Sequence, residues 1–148
     1  MTKTATLTPM TSADLQAARK RAAERFALIA ASCVPEGWTV SYRKGLSGCC
    51  WQDRMHIEAP RPVTRKALYI FLHECAHAHL HAGSNAARHV KEHEAERWAH
   101  QTMRENGIPV PRAMTKRAKA YVARKIDKAQ RSGAKRIDPK AKAFAKPS

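Results

Sequence analysis

Apolar residues recur every three or four positions over residues 12–33, which is the spacing of one face of an α-helix. The stripe comprises Leu15, Ala18, Ala22, Phe26, Ile29 and Cys33. Thr11 or Ser12 precedes it and can accept a hydrogen bond from the first helical turn. The pattern therefore predicts an amphipathic helix that packs on a core by this stripe.

The pattern changes after Cys33, where "PEG" interrupts the helical spacing. The segments "WTVSYRK" and "CCWQDRMHIEA" follow, and each has the short runs of β-branched and aromatic residues that are typical of strands. Glycine and polar residues in "GLSG" and "QDR" indicate turns between these strands. We expect a small antiparallel sheet.

Two further helices are predicted in the middle of the chain. The first begins after Thr64, its N-cap, and ends near Gly83. Its core stripe consists of Leu68, Phe71, Leu72, Cys75 and either His79 or Leu80. The second helix, "RHVKEHEAERWAHQTMREN", is closed by Gly107.

A last helix is predicted over residues 112–131, with a thin apolar stripe on an otherwise basic surface. The stripe comprises Met114, Ala118, Tyr121, Val122, Ile126 and Ala129. Residues 132–148 have almost nothing to bury and are expected to be mobile. The order of elements predicts an α+β fold with a domain over residues 1–111, a docked basic helix over residues 112–131 and a flexible basic tail.

The net charge narrows the choice of partners. The 148 residues include 28 Lys and Arg against 12 Asp and Glu, a formal charge of +16. Residues 112–148 hold 13 of these cations and 2 of the acidic residues, so +11 of the charge lies there. A segment of this kind favours nucleic acid or another anionic partner.

The sequence contains no signal for a membrane. No apolar run approaches the roughly 20 residues that span a bilayer, and "MTKTATLTPMTSADL" lacks the apolar stretch of a signal peptide. We expect a soluble, cytoplasmic protein without a membrane partner. The four cysteines lack a CxxC spacing and the density of a secreted scaffold, so they are expected to be reduced.

The helix before Gly83 contains "HECAH" within "LYIFLHECAHAHLHAG". His73 and His77 are four residues apart, so both imidazoles project from one face and can bind one ion at about 2.0–2.1 Å. Glu74 cannot join them as a ligand, but it can face a water at the metal and take its proton. Chance accounts poorly for the motif, since a shuffled chain of this composition contains it roughly 0.02 times.

A catalytic zinc needs a third protein ligand and one open position. His81 lies on the same helical face, but eight residues of helix rise about 12 Å, which is too far to share the ion. The metzincin pattern is excluded, because Leu80 and Gly83 stand where that class has its glycine and third histidine. The acidic segment "KEHEAERWAH" is the remaining source.

Three glutamates in that segment compete for the role. Glu92 lies on the side of the helix that carries small alanines, which let two helices approach closely. We expect Glu92 to be the third ligand, and Glu96 to accept a hydrogen bond from a ligand histidine. Glu94 points roughly 100° away from the centre of the apolar face and is the alternative third ligand.

"FLHECAHAHLH" followed by "EHEAERWA" resembles the ImmA/IrrE-type metallopeptidases, small gluzincins in which an HExxH helix precedes an ExEAxxFA helix. The resemblance covers about residues 36–110, and "MHIEAP" stands in the place of that family's active-site edge strand. It implies a zincin-like domain of the minigluzincin type. In such a domain Zn²⁺ would be bound by His73, His77 and Glu92, Glu74 would be the general base, and Trp98 would occupy the family's aromatic position.

These features predict a zinc-dependent endopeptidase that hydrolyses a protein substrate. An extended substrate could pair with the edge of "MHIEAP" by strand addition, which would place its scissile bond over the metal. The residue that stabilises the oxyanion is not identified by the sequence. Four candidates stand unranked: His89, His93, His100 and Tyr121.

The cations of the basic helix can contact DNA or RNA phosphates. Such contact would either recruit the endopeptidase to its protein substrate or be a function of its own. The residues concerned are Lys116, Arg117, Lys119, Arg124, Lys125, Lys128 and Arg131. The layout is similar to SprT-type proteases and to antirestriction proteins of mobile elements. SprT-type proteases bind zinc with a third histidine, which here could come only from His89, His93 or His100. The alternative function is therefore a nucleic-acid-binding or antirestriction-type protein in which the zincin fold is structural or inactive.

Overall fold

A computed structural model describes residues 8–147. This part of the chain forms five helices and a sheet of three strands. In chain order they are α1 (Ser12–Cys33), β1 (Thr39–Tyr42), β2 (Cys49–Trp51), β3 (His56–Ala59), α2 (Arg65–Leu80), α3 (Arg88–Glu105), α4 (Arg112–Arg131) and α5 (Pro139–Ala145). The predicted α+β class is confirmed.

Side-chain caps set the starts of the first two helices. Thr11 accepts a hydrogen bond from the Asp14 backbone N–H, and the Asp14 carboxylate accepts one from the Thr11 backbone N–H. Thr64 caps α2 in the same way through the Ala67 N–H. Helix α2 ends at Leu80, three residues before Gly83, which has a φ of 72°.

The sheet is mixed, and its strand order is β1-β3-β2. Strand β1 pairs with β3 in parallel and β2 pairs with β3 antiparallel. The prediction of an antiparallel sheet is therefore wrong for β1. The prediction that "MHIEAP" forms an edge strand is also wrong, because β3 lies between the other two strands. Alternation along a strand fixes which face is buried, but it does not specify the partner strand.

Helix α2 lies at the centre of the fold, between the sheet and the helices α1 and α3. Its predicted core residues Leu68, Phe71, Leu72 and Cys75 are all buried, together with Ile57 of β3. His79 and Leu80 are exposed, so neither extends the stripe, and Ala78 is the last buried apolar residue of α2. Because α2 is covered on several sides, its polar residues are held in fixed positions.

The C-terminal segment differs from the mobile tail expected from its composition. Residues 139–145 form α5, which packs on α4 through Ala141 and Phe144 against Val122 and Ile126. The Asp138 side chain caps α5, and its backbone N–H donates to Nε2 of His89 on α3. An aspartate followed by proline is a recognised helix start, so "DPKAKAFA" did contain a local signal for this helix.

Two predictions about the chain's environment can be compared with the fold. Cys33, Cys49, Cys50 and Cys75 all carry free thiols in the described structure. Burial raises the pKa of Cys75, so this thiol stays protonated and unreactive. Within residues 8–147 no helix is both long and apolar enough to cross a membrane.

Candidate metal centre

Three donor atoms from two helices converge at one point. Nε2 of His73 lies 3.1 Å from Nε2 of His77, and Oε2 of Glu92 lies 3.1 Å and 3.3 Å from these two nitrogens. Bonds of about 2.0–2.1 Å to a tetrahedral ion would separate the donors by about 3.4 Å. The three side chains therefore form a group that can hold a metal ion.

Helix packing brings the third donor to the two histidines. Ala95 and Ala99 of α3 are fully buried, and their small side chains allow α3 to lie close to α2. Glu92 comes one turn before Ala95 on this face and reaches the histidines. All three donor residues are more than nine-tenths buried, and unpaired charged groups are not stable in such surroundings.

The carboxylates of the cluster draw positive charge to it. Nε of Arg88 lies 3.0 Å from Oε1 of Glu92, on the other oxygen from the one that faces the histidines. Burial opposes a positive charge on His73, but the carboxylates of Glu92, Glu96 and Glu74 outweigh it and raise the pKa of His73 to about 10. Burial also opposes the charge on Glu92, but hydrogen bonds from His73 and His77 hold its pKa below the ordinary value. The site thus attracts positive charge, and a divalent ion would supply it in place of a proton.

His73 is oriented from behind by a network of side chains. Oε1 of Glu96 lies 2.9 Å from Nδ1 of His73, and the Tyr69 hydroxyl donates to Oε2 of Glu96. Nδ1 of His100 lies 3.0 Å from the Tyr69 hydroxyl and 2.8 Å from the Glu96 carbonyl oxygen, and Thr115 contacts its Nε2. With a carboxylate at Nδ1, the lone pair of His73 Nε2 points to the donor cluster.

His77 is oriented by a separate relay. Its Nδ1 lies 2.9 Å from Nδ1 of His81, the residue that follows α2, and Nε2 of His81 lies 3.0 Å from Oε2 of Glu94. The Glu94 carboxylate accepts the proton of His81 Nε2, so His81 Nδ1 can accept the proton of His77 Nδ1. The lone pair of His77 Nε2 is then available to an ion.

Replacing His81 by alanine is expected to weaken metal binding about 10- to 100-fold. The variant leaves Nδ1 of His77 without its acceptor, so the ring is no longer held in one tautomer and orientation. Competition for the metal with a chromogenic chelator measures the effect. His79→Ala is the matched control, because His79 is exposed and, among the described residues, its ring contacts the Cys33 carbonyl oxygen and Trp98 rather than the relay. An equal loss of metal affinity in both variants would contradict the relay.

Glu74 lies beside the donor group but is not part of it. Its Oε1 is 3.9 Å from Nε2 of His73. Burial, with a further contribution from Glu92, raises the pKa of Glu74 to about 7, against the opposing effect of His73. A carboxylate with this pKa can accept and return a proton near neutral pH.

Gly48, immediately before β2, allows the sheet to approach Glu74. A Cβ atom at this position would lie 2.6 Å from Cγ of Glu74 and 3.1 Å from the carbonyl oxygen of Glu58. Only a residue without a side chain fits such an approach. Gly48 and Glu74 therefore lie against each other, although they are 26 residues apart in the chain.

Two small cavities of about 170 Å³ each meet at the donor group. Gly48, His73, Glu74 and Tyr121 line both of them. The Tyr121 ring from α4 lies 6.5 Å from the His73 ring, measured between centroids. Burial and the Glu92 carboxylate raise the pKa of Tyr121, so its hydroxyl keeps its proton at neutral pH.

The geometry separates the four candidates for oxyanion stabilisation. His89 accepts a hydrogen bond from Asp138, His93 packs against Phe144, and His100 belongs to the network behind His73. Tyr121 is the candidate that lines the cavities at the donor group. Sequence reasoning placed Tyr121 only in the apolar stripe and among unranked alternatives.

The structure places the other predicted site residues as follows. Glu96 lies against His73, whereas the Glu94 side chain is 47% exposed and reaches only His81. Glu94 therefore does not join the donor group. His89, His93 and His100 do not join it either.

Five of the seven predicted basic residues of α4 lie within an arc of about 120° around the helix, and Lys116 and Lys119 lie outside it. The five are Arg117, Arg124, Lys125, Lys128 and Arg131. Arg117 donates to the Leu46 carbonyl oxygen, and Arg124 and Lys125 lie over the Tyr121 ring. Lys119 faces α5, and Arg131 pairs with Asp127. Contact of this face with nucleic acid stays a prediction.

The chain was compared with protein-family models, curated proteins and solved structures. None of the three comparisons gives a match. The resemblance to ImmA/IrrE-type metallopeptidases therefore rests on the motifs and their spacing.

Proposed function

We propose that the protein is a zinc-dependent endopeptidase of the gluzincin type. The observation that carries this proposal is the convergence of His73, His77 and Glu92 with the carboxylate of Glu74 beside them. Two imidazoles and one carboxylate are a donor set suited to zinc, and three protein ligands leave a position open for substrate or water. A structural zinc site would be closed by a fourth protein ligand.

The metal ion, Glu74 and Tyr121 would each have a separate role in peptide hydrolysis. Zinc, when bound, polarises a carbonyl group and makes water a better nucleophile at neutral pH. Glu74 accepts the proton of the attacking water and returns it to the leaving amine, a task suited to a carboxyl group with a pKa of about 7. The Tyr121 hydroxyl donates a hydrogen bond to the oxygen on which negative charge develops.

The substrate is expected to pair with β2 rather than with β3. Strand β3 has partners on both sides, whereas β2 has one described partner and so leaves an edge free. Gly48, Cys49 and Cys50 at the start of β2 line a cavity with Glu74. An extended peptide added at this edge would pass the donor group and present a peptide bond to it.

Gly48→Ala is expected to reduce peptide cleavage at least tenfold while metal content stays unchanged. The added methyl group would overlap Cγ of Glu74, so the carboxylate must move away from its position beside His73. Initial rates and metal content of the purified variant measure the two effects. Ser47→Ala is the control, since it changes the neighbouring residue without adding an atom next to the Glu74 side chain. An unchanged cleavage rate in Gly48→Ala would show that catalysis does not depend on the position of the Glu74 carboxylate beside His73.

The proposed activity can be tested without knowledge of the natural substrate. Zinc-loaded protein is incubated with a library of peptides from a digested proteome, and new termini are identified by mass spectrometry. We expect cleavage at a defined set of sites that disappears with a zinc chelator and returns when zinc is restored. Absence of new termini over this library, or cleavage that persists in the chelator, would overturn the proposal.

A further inference from the structure

A groove is formed where α3, α4 and α5 meet. It has a volume of about 660 Å³, which is in the range of sites for small ligands. Its polar lining is contributed by all three helices and comprises His93, Arg97, His100, Gln101, Arg104, Thr115, Lys119 and Lys140. We call it the basic groove.

Four cations converge on the basic groove: Arg97, Arg104, Lys119 and Lys140. None of them forms an ion pair in the described part of the chain, and no Asp or Glu lines the groove. Cations brought together by folding and left without anions repel one another. A bound polyanion would relieve this repulsion.

An aromatic ring lies among the cations. Phe144 of α5 is half-buried and lines the groove. Its ring lies 5.0 Å from that of His93 between centroids, and the Lys119 ammonium lies 6.0 Å from it. An aromatic face beside cations is the combination that binds a nucleobase and its phosphate.

A second groove adjoins the first, between α4 and the C-terminal end of α5. It has a volume of about 700 Å³ and shares Thr115 and Lys119 with the basic groove. Arg112 and Lys116 add two further cations there. The cationic path is therefore longer than a single nucleotide needs.

We propose that the basic groove and its continuation bind a single strand of nucleic acid. The cations contact successive phosphates, and one base stacks on Phe144. A single strand fits better than a duplex, because a base can reach a ring recessed between helices only when it is unpaired. A strand also fits better than a free nucleotide, since the cations extend over two adjoining grooves.

This site is distinct from the cleft at the donor group, but it is connected to it. His100 lines the basic groove with one side of its ring, while Nδ1 faces Tyr69 and the Glu96 carbonyl oxygen in the network behind His73. Binding in the groove does not require a metal or Glu74. The proposal therefore stands or fails independently of the peptidase activity.

The test measures fluorescence anisotropy of labelled oligonucleotides with the full-length protein, in the absence of any peptide substrate. We expect a poly-dT or poly-rU strand to bind more tightly than a duplex of the same length. Six phosphate contacts, one for each cation of the two grooves, predict a slope of about −4 for log affinity against log salt concentration. Arg104→Glu combined with Lys140→Glu is expected to weaken binding at least tenfold.

Two control variants carry the same change in charge elsewhere. Arg19→Glu with Lys20→Glu alters exposed residues of α1, and Arg124→Glu with Lys128→Glu alters the opposite side of α4. We expect both to bind within about threefold of the wild type. Phe144→Leu keeps the apolar contacts of α5 but removes the aromatic face, and a loss of three- to tenfold is expected.

Several results would overturn the proposal. Equal losses in the groove variant and the two control variants would show that net charge alone attracts the oligonucleotide. Tighter binding of the duplex would exclude a recessed single strand as the occupant. Full competition by a free mononucleotide at equal concentration would identify a nucleotide site instead.

Discussion

Glu92→Ala is expected to abolish stoichiometric zinc binding. The substitution removes one of three convergent donors. The loss of zinc affinity should therefore exceed the roughly 100-fold that is typical when a residue that only orients a ligand is removed. The two histidines alone cannot compensate the charge of a buried divalent ion. Elemental mass spectrometry of protein purified without added metal should find about one zinc per chain in the wild type and almost none in the variant.

Glu94→Ala is the matched control for this experiment, because it removes a carboxylate two residues away on the same helix. The variant should retain about one zinc per chain, since Glu94 acts only through His81. Circular dichroism of both variants establishes that α3 is intact. If Glu94→Ala lost the metal and Glu92→Ala kept it, the assignment of the third ligand would have to be reversed.

Glu74→Gln is expected to keep zinc and to lose about 10²- to 10⁴-fold in peptide cleavage, the usual contribution of a general acid–base group. The amide has nearly the same shape, so the contact with Gly48 is preserved. It has no charge to bury, so the variant should be at least as stable as the wild type. The measurements are zinc content, thermal unfolding and the initial cleavage rate of a peptide found with the library.

The pH profile of cleavage adds an independent check on Glu74. With a pKa of about 7 in the folded chain, raised from 4.5, Glu74 is protonated below neutral pH and cannot act as a base. Cleavage should therefore fall as the pH drops through 7, and the low residual rate of Glu74→Gln should lack this acid limb. Equal rates for wild type and variant at every pH would exclude Glu74 as the base.

The sequence was sufficient for the parts of the site that depend on local geometry. The spacing of His73 and His77 places both on one face of a helix, and Thr64 indicates where that helix begins. Glu92 could be selected over Glu94 because alanines identify the side of α3 that packs closely. In each case the relevant physics acts within one helix or between two neighbouring ones.

The sequence was insufficient where distant segments meet. Nothing in "MHIEAP" specifies that β1 pairs with β3 in parallel. The sequence therefore could not show that β3 is the central strand and not an edge strand. The docking of α5 depends on only a few apolar contacts, among them Phe144 on Val122. Asp138 and Pro139 are a local signal for the start of α5, but such a short helix has too little periodicity to show that it packs on α4. The basic groove, which depends on this packing, could therefore not be predicted.

Helix α2 also has a consequence for the rate at which metal is exchanged. Its residues from Ala67 to Ala78 are buried apart from Ile70, which is partly covered. Amide hydrogens in such a helix exchange with deuterated solvent mainly through global unfolding. His73 and His77 thus stand on the most slowly opening part of the chain, and their positions persist when the ion leaves. Reloading should then proceed without refolding, at a rate limited by passage of the hydrated ion through the narrow cleft beside Tyr121.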